Sequence, residues 1–435
     1  MPMPYLLNFI YVALLCAMSP CFVWAAIRRG KYRTGYAQKL FGRVPLRKND
    51  RPCIWFHAVS AGEVNLLAPL IRRCEEEFPA YECVLSTTTN TGFEIASKKY
   101  PRLTVFYCPL DFSWAVRNAF ARLRPSLLVL AELELWPNLI REAGERGVRV
   151  AVVNGRLSEH SAGGYSRIGW FVGPLLRRID LLAVQTEEYA HRFLALGAKS
   201  DSVCVTGSMK FDGAQTDRSN SRIRELAELW GIGASDVVFL AGSTQSPEEE
   251  HAINAFRQLK DNFSALRLIL VPRHPERFDE VAQLLDRSGL PWQRRSELEP
   301  ARKSDARILL VDTMGELSAW WGTAHIGYVG GSMGTRGGQS MIEPAAYGVA
   351  VSFGPKTHNF RDVVRLMFAR EAAVVVRDGD ELSAFVHACL QDAATMTLLG
   401  ARSQKLVSEQ LGATDKTIAV LGKLLPAGVD DRRAA

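Results

Sequence analysis

Short apolar runs alternate with amphipathic stretches from Pro52 almost to the end of the chain. In the stretch Glu63–Phe78, for example, apolar residues recur at helical spacing. This alternation predicts parallel strands joined by crossover helices, with helices on both faces of a doubly wound sheet. In the first half, strands are expected at Cys53–Val59, Cys83–Ser86, Leu103–Tyr107, Leu127–Leu130, Val148–Val153, Leu181–Val184 and Val203–Thr206.

The alternation of apolar runs and amphipathic stretches stops at the polar stretch Asp212–Ser221 and resumes after it, which indicates a linker between two domains. Further strands are expected at Val237–Ala241, Leu268–Val271, Ile308–Val311, His325–Val329, Val349–Phe353 and Ala373–Val376. Helices are expected at Glu248–Phe263, Glu276–Ser288 and Phe360–Arg370, followed by a helical tail over about 395–425 and a frayed end from Asp430. We therefore predict an α/β protein with two Rossmann-like domains and a cleft between them, with boundaries of 31–215 and 216–435.

The segment before these domains, Tyr5 to Ile27, carries no charged residue and is long enough to span a bilayer. Basic residues follow it at once: Arg28, Arg29, Lys31 and Arg33. Their position predicts an N-terminal membrane anchor (residues 1–30) with the rest of the chain in the cytoplasm, because positive charge is retained on that side. A signal peptide would carry its basic cluster in front of the apolar run. Asn8 and Pro20 leave monotopic insertion open as an alternative to a full span.

Composition, charge and the absence of two common fingerprints favour some ligands and protein classes over others. A net charge of +7 favours anionic partners, and the basic stretch up to Arg51 favours an anionic lipid surface. The eight cysteines form no CxxC pair and no zinc-like spacing, which indicates a reducing compartment and no metal site. Neither a G-x-G-x-x-G nor a P-loop fingerprint occurs, which argues against a dehydrogenase and a P-loop kinase.

In the first half, candidate catalytic residues follow the predicted strands. Glu63 opens the helix after the first strand and could act as a general base, or only complement the helix dipole. Glu132 and Glu134 follow the fourth strand, where strand alternation would place both on one face. Lys210 follows the last strand, where it could stabilise a developing negative charge or be a solvated surface residue.

In the second half, the stretch Gly327–Pro355 has glycines after a strand and then Glu343 at the start of a small-residue helix. Such glycines let backbone N–H groups approach a ligand closely, which suits a phosphate, and the carboxylate could hold ribose hydroxyls. Arg273 ends the second strand at a position where a phosphate would lie. The Asp378-Gly379-Asp380 sequence fits a turn and a helix N-cap better than a metal site.

Together, these motifs resemble the 3-deoxy-D-manno-octulosonic acid (Kdo) transferases of lipopolysaccharide synthesis. HAVSAGE, ELELWPN, NGRLS, GSMKFD, PRHPERF, DTMGEL and the GG…EPAA run occur in the family's order, and the resemblance covers nearly the whole chain. It implies a GT-B glycosyltransferase on the cytoplasmic face of the inner membrane, with an N-terminal acceptor domain and a C-terminal donor domain. The implied donor is CMP-Kdo, the implied acceptor is a lipid A precursor, and neither a metal, a cofactor nor a nucleic acid is implied.

The resemblance also implies roles for particular residues. Glu63 matches the proton-accepting carboxylate, and Glu132 and Lys210 match positions that stabilise the transition state. The CMP-binding positions correspond to Pro272, Arg273, Met314, Gly315, Glu316, Ser340, Met341, Ile342 and Glu343. Where family members often read GGHNPLE, this chain keeps the glutamate but not the Asn-Pro pair, which is replaced by Ser340-Met341.

The implied reaction is an inverting single displacement. Two other functions remain open at this point: another GT-B nucleotide-sugar transferase or epimerase, and a membrane-anchored glycolipid-binding protein without turnover.

Overall fold

The structure, a computed structural model, describes residues 3–29, 34–299 and 305–425, without the side chains of residues 3, 21–23, 25–27 and 29. The predicted basic residues Lys31 and Arg33, the side chain of Arg29 and the tail from Asp430 therefore lie outside the described residues. The chain divides into two compact units, one made of Met1–Gly213 with Leu411–Ala435 and the other of Ala214–Gln410.

The first unit contains a seven-stranded sheet in the order β3-β2-β1-β4-β5-β6-β7, with every neighbouring pair parallel. The strands are β1 (Cys53–Ala58), β2 (Glu82–Thr87), β3 (Thr104–Tyr107), β4 (Leu127–Ala131), β5 (Arg149–Gly155), β6 (Leu181–Val184) and β7 (Val203–Val205). The helices are α1 (Met3–Arg29), α2 (Tyr36–Phe41), α3 (Ala61–Leu66), α4 (Ala68–Glu77), α5 (Asn90–Lys99), α6 (Ser113–Leu123), α7 (Pro137–Glu145), α8 (Glu159–Arg167), α9 (Gly169–Leu176) and α10 (Glu187–Ala195).

The central strands of this sheet are buried along their whole length, because helices cover both faces. Alternate residues therefore enter two separate cores: Cys53 and Trp55 pack into one, while Ile54 and Phe56 pack into the other. The continuous apolar runs in the sequence reflect this double burial, which explains why the central strands of this half could be predicted.

The second unit repeats the arrangement with a parallel sheet in the order β10-β11-β9-β8-β12-β13-β14. Its strands are β8 (Val237–Thr244), β9 (Leu266–Pro272), β10 (Trp292–Arg294), β11 (Ile308–Leu310), β12 (Ile326–Val329), β13 (Ala350–Phe353) and β14 (Val374–Val375). Its helices are α11 (Ser221–Leu229), α12 (Glu248–Leu259), α13 (Phe278–Ser288), α14 (Leu317–Trp321), α15 (Ile342–Ala346), α16 (Arg361–Ala369), α17 (Gly379–Gln391) and α18 (Ala393–Gln410). The two Rossmann-like units confirm the predicted α/β class.

A last helix, α19 (Ala413–Gly422), belongs to the first unit, whereas the sequence pattern assigned all of 216–435 to the second domain. Its apolar residues Ala413, Ile418 and Leu421 enter the same core as α4. The carboxylate of Asp212 accepts the N–H groups of Gly412, Ala413 and Thr414. This contact across 200 residues caps the helix, and no local sequence pattern could have indicated it.

Two further differences have simple local causes. The predicted helix Glu63–Phe78 is interrupted at Leu67, because Pro69 lacks the N–H and clashes with the carbonyl four residues earlier. The three-residue strand β10 was not predicted, since it is short and contains Gln293 and Arg294 beside a single large apolar residue.

The N-terminal helix α1 occupies the predicted anchor segment and contacts the first unit through polar side chains. Asn8 donates to the Ser113 hydroxyl at 2.7 Å, and Tyr11 donates to the Asp111 carboxylate at 3.1 Å. Considering only the described residues, none of the helices is both apolar enough and long enough to cross a membrane. Residues 21–23 and 25–27 of the predicted anchor have side chains outside the described part of the chain.

Candidate active site

The predicted catalytic carboxylates lie at the topological switch point of the first sheet. Strand β1 pairs with β2 on one side and with β4 on the other, so the chain order reverses between β1 and β4. Glu63 follows β1, and Glu132 follows β4 directly. In open parallel sheets, the carboxyl ends of the strands at this point are where ligands bind.

Glu63 is held by the turn that precedes it. Its carboxylate accepts the Val59 N–H at 2.8 Å and the Ser60 hydroxyl at 3.0 Å, and its own N–H donates to Ser60 Oγ at 3.4 Å. Burial raises the pKa of the Glu63 carboxyl, although both hydrogen bonds act in the opposite direction.

Glu132 forms two ion pairs in the site. Its Oε2 lies 2.7 Å from Arg156 Nε, and its Oε1 lies 3.8 Å from Lys210 Nζ. The residue has a φ of 56°, a left-handed conformation that is uncommon and strained outside glycine. Since Arg156 follows β5 and Lys210 follows β7, the fold brings together three residues that are up to 78 positions apart.

The turn that carries Lys210 is held by a buried asparagine whose role the sequence did not indicate. The N–H of Met209, one residue before Lys210, donates to Asn154 Oδ1 at 3.0 Å. Asn154 is fully buried at the end of β5 and has a φ of 53°. Asparagine tolerates this conformation better than most residues, so the NGRLS motif combines a backbone requirement with a side-chain contact to the lysine turn.

Glu134 is a third carboxyl in the same region. Strand alternation does not relate it to Glu132, because β4 ends at Ala131 and Glu132 adopts a left-handed conformation. The Trp136 Nε1–H donates to Glu134 Oε2 at 2.9 Å. Burial raises the pKa of Glu134 to about 7, and the nearby Glu63 charge acts in the same direction. Within the described residues, no group of three or more His, Cys, Asp or Glu side chains could hold a metal ion.

Replacing Glu134 by glutamine is expected to stabilise the protein at pH 8 relative to wild type, with a smaller effect at pH 5. The folded-state pKa of about 7 exceeds the ordinary value of 4.5, so folding favours the protonated carboxyl. This contribution to stability is present below pH 4.5 and is lost as the pH rises through 7. A glutamine cannot ionise and keeps its stability. Thermal unfolding from pH 5 to pH 8 measures the effect, with the exposed Glu94→Gln as control, and a pH-independent difference would contradict the prediction.

In the second unit, two of the predicted donor-binding side chains interact electrostatically. Arg273 follows β9, is exposed, and has its N–H bonded to the Thr244 carbonyl at 3.1 Å. Burial raises the pKa of the Glu343 carboxyl in α15, while the Arg273 guanidinium acts in the opposite direction. The two side chains are thus within electrostatic reach although 70 residues separate them in the chain.

Glu316 forms ion pairs with two arginines of the second unit. Its carboxylate accepts two hydrogen bonds from Arg295, both at 2.9 Å, and lies 2.6 Å from Arg222 Nη2. Thr313 also donates to it at 2.8 Å. Burial opposes ionisation, but the Thr313 and Arg295 hydrogen bonds prevail and lower the pKa of Glu316. The side chain therefore stabilises its own loop, leaving Met314, which is 63% exposed, and Gly315 on the surface of that turn.

Two of the four side chains in the segment Ser340–Glu343 are buried. Met341 has no exposed surface and Ile342 is buried, so these two side chains belong to the interior of the unit. Ser340 and Glu343 are half-buried. The replacement of the family's Asn-Pro pair by Ser340-Met341 thus places one of the two substituted side chains away from any ligand.

Comparisons with known proteins agree with these motifs. The family described as 3-deoxy-D-manno-octulosonic-acid transferase (kdotransferase) matches residues 30–213. The 3-deoxy-D-manno-octulosonic acid transferase of Haemophilus influenzae is 30% identical over 430 residues, which cover 97% of this chain and 100% of that protein. The chain belongs to the Kdo transferase family.

A second member of the Kdo transferase family, from Bordetella pertussis, is 31% identical over 95% of this chain and 98% of its own length. Among solved structures, UDP-GlcNAc 2-epimerase from Neisseria meningitidis has a TM-score of 0.56 and is 12% identical, covering 85% of this chain and 100% of that one. At this identity the likeness concerns the fold alone, and it is consistent with the GT-B type implied by the motifs. Membership in the Kdo transferase family makes the chain a glycosyltransferase.

Proposed function

We propose that this protein transfers Kdo from CMP-Kdo to a lipid A precursor (lipid IVA) in lipopolysaccharide synthesis, by an inverting and metal-independent displacement. Membership in the Kdo transferase family supports the sugar and its CMP-activated donor. The observation that carries the chemistry is the group formed by Glu63, Glu132 and Lys210 at the switch point of the first sheet. A buried carboxyl and a lysine around one strand edge suit proton removal from a hydroxyl and stabilisation of negative charge.

Glu63 acts as the general base in this proposal. It accepts the proton of an acceptor sugar hydroxyl while that oxygen forms a bond to the anomeric carbon of Kdo. The bond from that carbon to the phosphate oxygen breaks, its electron pair leaves with CMP, and the configuration inverts. The raised pKa of Glu63 supports the role, because a base is most effective when its pKa approaches the working pH.

Each unit contributes a cation that stabilises negative charge in this proposal: Lys210 in the first and Arg273 in the second. The ammonium of Lys210 stabilises the negative charge that develops as the bond to CMP breaks, and Glu132 holds both Lys210 and Arg156 in place. Arg273 of the second unit binds the CMP phosphate, for which a guanidinium is well suited. Backbone groups of Met314, Gly315 and the segment Ser340–Glu343, together with Pro272, form the rest of the CMP site.

We further propose that the N-terminal helix attaches the protein to the cytoplasmic face of the inner membrane. Large apolar side chains on α1 are exposed, among them Phe9 at 69% and Leu14 at 54%. On the same unit, Trp170 of α9 is 73% exposed. Exposed apolar side chains of this size favour contact with a lipid surface, and a lipid acceptor requires the enzyme to work there.

A transfer assay tests this function directly. Detergent-solubilised full-length protein is incubated with a tetraacylated, bisphosphorylated lipid A precursor and CMP-Kdo generated in situ. Mass spectrometry of the lipid should show a gain of one or more Kdo units. The gain should disappear when CMP-Kdo generation is omitted, and excess CMP should inhibit it more strongly than UDP.

Two outcomes would contradict the proposal in different ways. If the protein binds CMP but the lipid gains no Kdo, the acceptor is wrong and other glycolipids should be tried. If UDP competes as well as CMP, the donor is wrong and the chain uses another nucleotide sugar.

A further inference from the structure

Glu248 lies at the start of α12 and has no exposed surface. Its carboxylate accepts five hydrogen bonds. They come from the N–H groups of Gln245 (2.9 Å), Gly331 (2.7 Å), Ser332 (2.9 Å) and Met333 (3.0 Å) and from the Tyr328 hydroxyl (2.8 Å). In the sequence, this residue is the first of three successive glutamates, which suggests only charges that complement a helix dipole.

Three of these donors are consecutive backbone N–H groups of the glycine-rich stretch that follows β12. Successive N–H groups converging on one point form a concave anion site of the kind that commonly binds phosphate. Here a carboxylate of the protein already occupies that site. The N–H groups of Gly331–Met333 are therefore committed to Glu248, and the phosphate that the glycines were expected to bind must interact with other groups.

The same contact determines the path of the rest of the stretch. Gly331 donates its N–H to Glu248, and its carbonyl accepts the Gly338 N–H at 2.8 Å. Gly331 has a φ of 66° and Gly338 a φ of 85°, conformations that glycine adopts without strain. Gly338 precedes Gln339 and the segment Ser340–Glu343, so one residue separates the Glu248 network from the proposed CMP contacts.

A second contact connects this network to β13. Ser332 Oγ accepts the Gly354 N–H at 2.8 Å, and the Ser332 carbonyl accepts the Lys356 N–H at 2.8 Å. A Cβ atom at Gly354 would lie 2.5 Å from the Ser332 carbonyl oxygen, so the two backbones are in direct contact. The loops after β12 and β13 are thus joined at the residue that Glu248 holds.

We propose that Glu248 is a positioning residue for the donor nucleotide. Its carboxylate acts as an internal anion that fixes the conformation of Gly331–Met333. This conformation in turn places the backbone of Ser340–Glu343 where it can bind CMP. This inference rests on the proposed function. It assigns the first part of the glycine-rich stretch to structure and leaves phosphate recognition to Arg273 and to the later part of the stretch.

The test compares CMP binding by full-length wild-type protein and Glu248→Gln, measured by isothermal titration calorimetry in detergent. Both carboxylate oxygens accept N–H donors, so the amide NH₂ of glutamine must face at least two of them. The Kd for CMP is expected to rise about tenfold or more, since buried donors lose their acceptor. The KM for the donor should rise in parallel, while the KM for the lipid acceptor stays unchanged.

Asp236→Asn is the matched control. Asp236 precedes β8 at the opposite end of the sheet, where it pairs with Arg267 at 2.7 Å and accepts the Gly233 N–H at 2.7 Å. Its loss removes a partly buried carboxylate of the same unit without touching the glycine-rich stretch. An equal rise of the Kd in this control would overturn the inference, because weaker binding would then follow from reduced stability alone.

The remaining outcomes are also decisive. If wild type binds CMP and Glu248→Gln binds it equally well, the inference is wrong and the proposed function stands. If wild type does not bind CMP, the proposed function fails and the inference with it. Should Glu248→Gln not fold, Tyr328→Phe removes one of the five donors and keeps the carboxylate. An increase of the Kd of about threefold is then expected, and unchanged binding would refute the inference.

Discussion

Replacing Glu63 by glutamine is expected to lower the rate of Kdo transfer by about 10³-fold, a typical contribution of a general base, and to leave CMP binding unchanged. Glutamine cannot accept the proton of the acceptor hydroxyl. It can still accept the hydrogen bond that Val59 N–H donates to the carboxylate at 2.8 Å, so the turn before α3 should keep its conformation. Single-turnover transfer assays and calorimetric titration with CMP separate the two effects.

The matched control for this variant is Glu187→Gln. Glu187 is likewise in the first turn of a helix of the first unit, but it is exposed. We expect its transfer rate to stay within about twofold of wild type, because most surface substitutions leave stability nearly unchanged and Glu187 has no part in the proposed chemistry. If Glu63→Gln retains more than a tenth of the wild-type rate, another group accepts the proton and the proposed mechanism is wrong. A comparison with Glu63→Ala adds the effect of losing the turn contact.

Replacing Lys210 by alanine is expected to lower kcat by about 10²-fold, as for loss of one preorganised group that stabilises transition-state charge. The ammonium lies 3.8 Å from Glu132, whereas Arg156 lies 2.7 Å from the same carboxylate. Lys210 is therefore the more loosely held of the two cations and can turn towards the leaving phosphate. Because Arg156 continues to neutralise Glu132, the variant should fold normally. Steady-state kinetics with varied donor and acceptor measure kcat and both KM values.

Lys199→Ala tests whether the effect depends on position rather than on net charge. Lys199 is exposed and precedes β7, while Lys210 follows the same strand, so the two variants remove the same charge at opposite ends. Lys199→Ala should keep kcat within about twofold of wild type. If Lys210→Ala raises only the KM of the donor and leaves kcat unchanged, the lysine contributes to ground-state binding and not to the transition state.

Much of the fold could be predicted because the strands are parallel and covered on both faces. Double burial requires continuous apolar runs such as Cys53–Ala58 and Leu127–Ala131, and such runs are visible without any structural information. The exceptions were determined by a few atoms or by distant contacts. Pro69 divides the helix after β1, β10 is too short to form a recognisable run, and α19 is capped by Asp212 from 200 residues away.

The candidate site could be predicted only in part. Residues at strand ends, such as Glu63, Glu132 and Lys210, were visible because ligand sites of parallel sheets occur there. Glu248 was not visible, since its sequence neighbourhood shows three similar glutamates and only the fold reveals which one accepts the N–H groups of Gly331–Met333. Likewise, the sequence could not show that the Glu316 carboxylate is occupied by Arg295 and Arg222.

The amino-acid sequence by itself determined the order of the longer strands, the presence of two Rossmann-like domains and the Kdo transferase motifs, because these depend on periodicity and on short spacings. Only the tertiary structure decided which charged side chains form ion pairs or accept buried hydrogen bonds. Arg156 and Lys210 both reach Glu132, and Glu248 fills the anion site of Gly331–Met333. The physical reason is that desolvation and ion pairing depend on distances in space, whereas a sequence pattern records only distances along the chain.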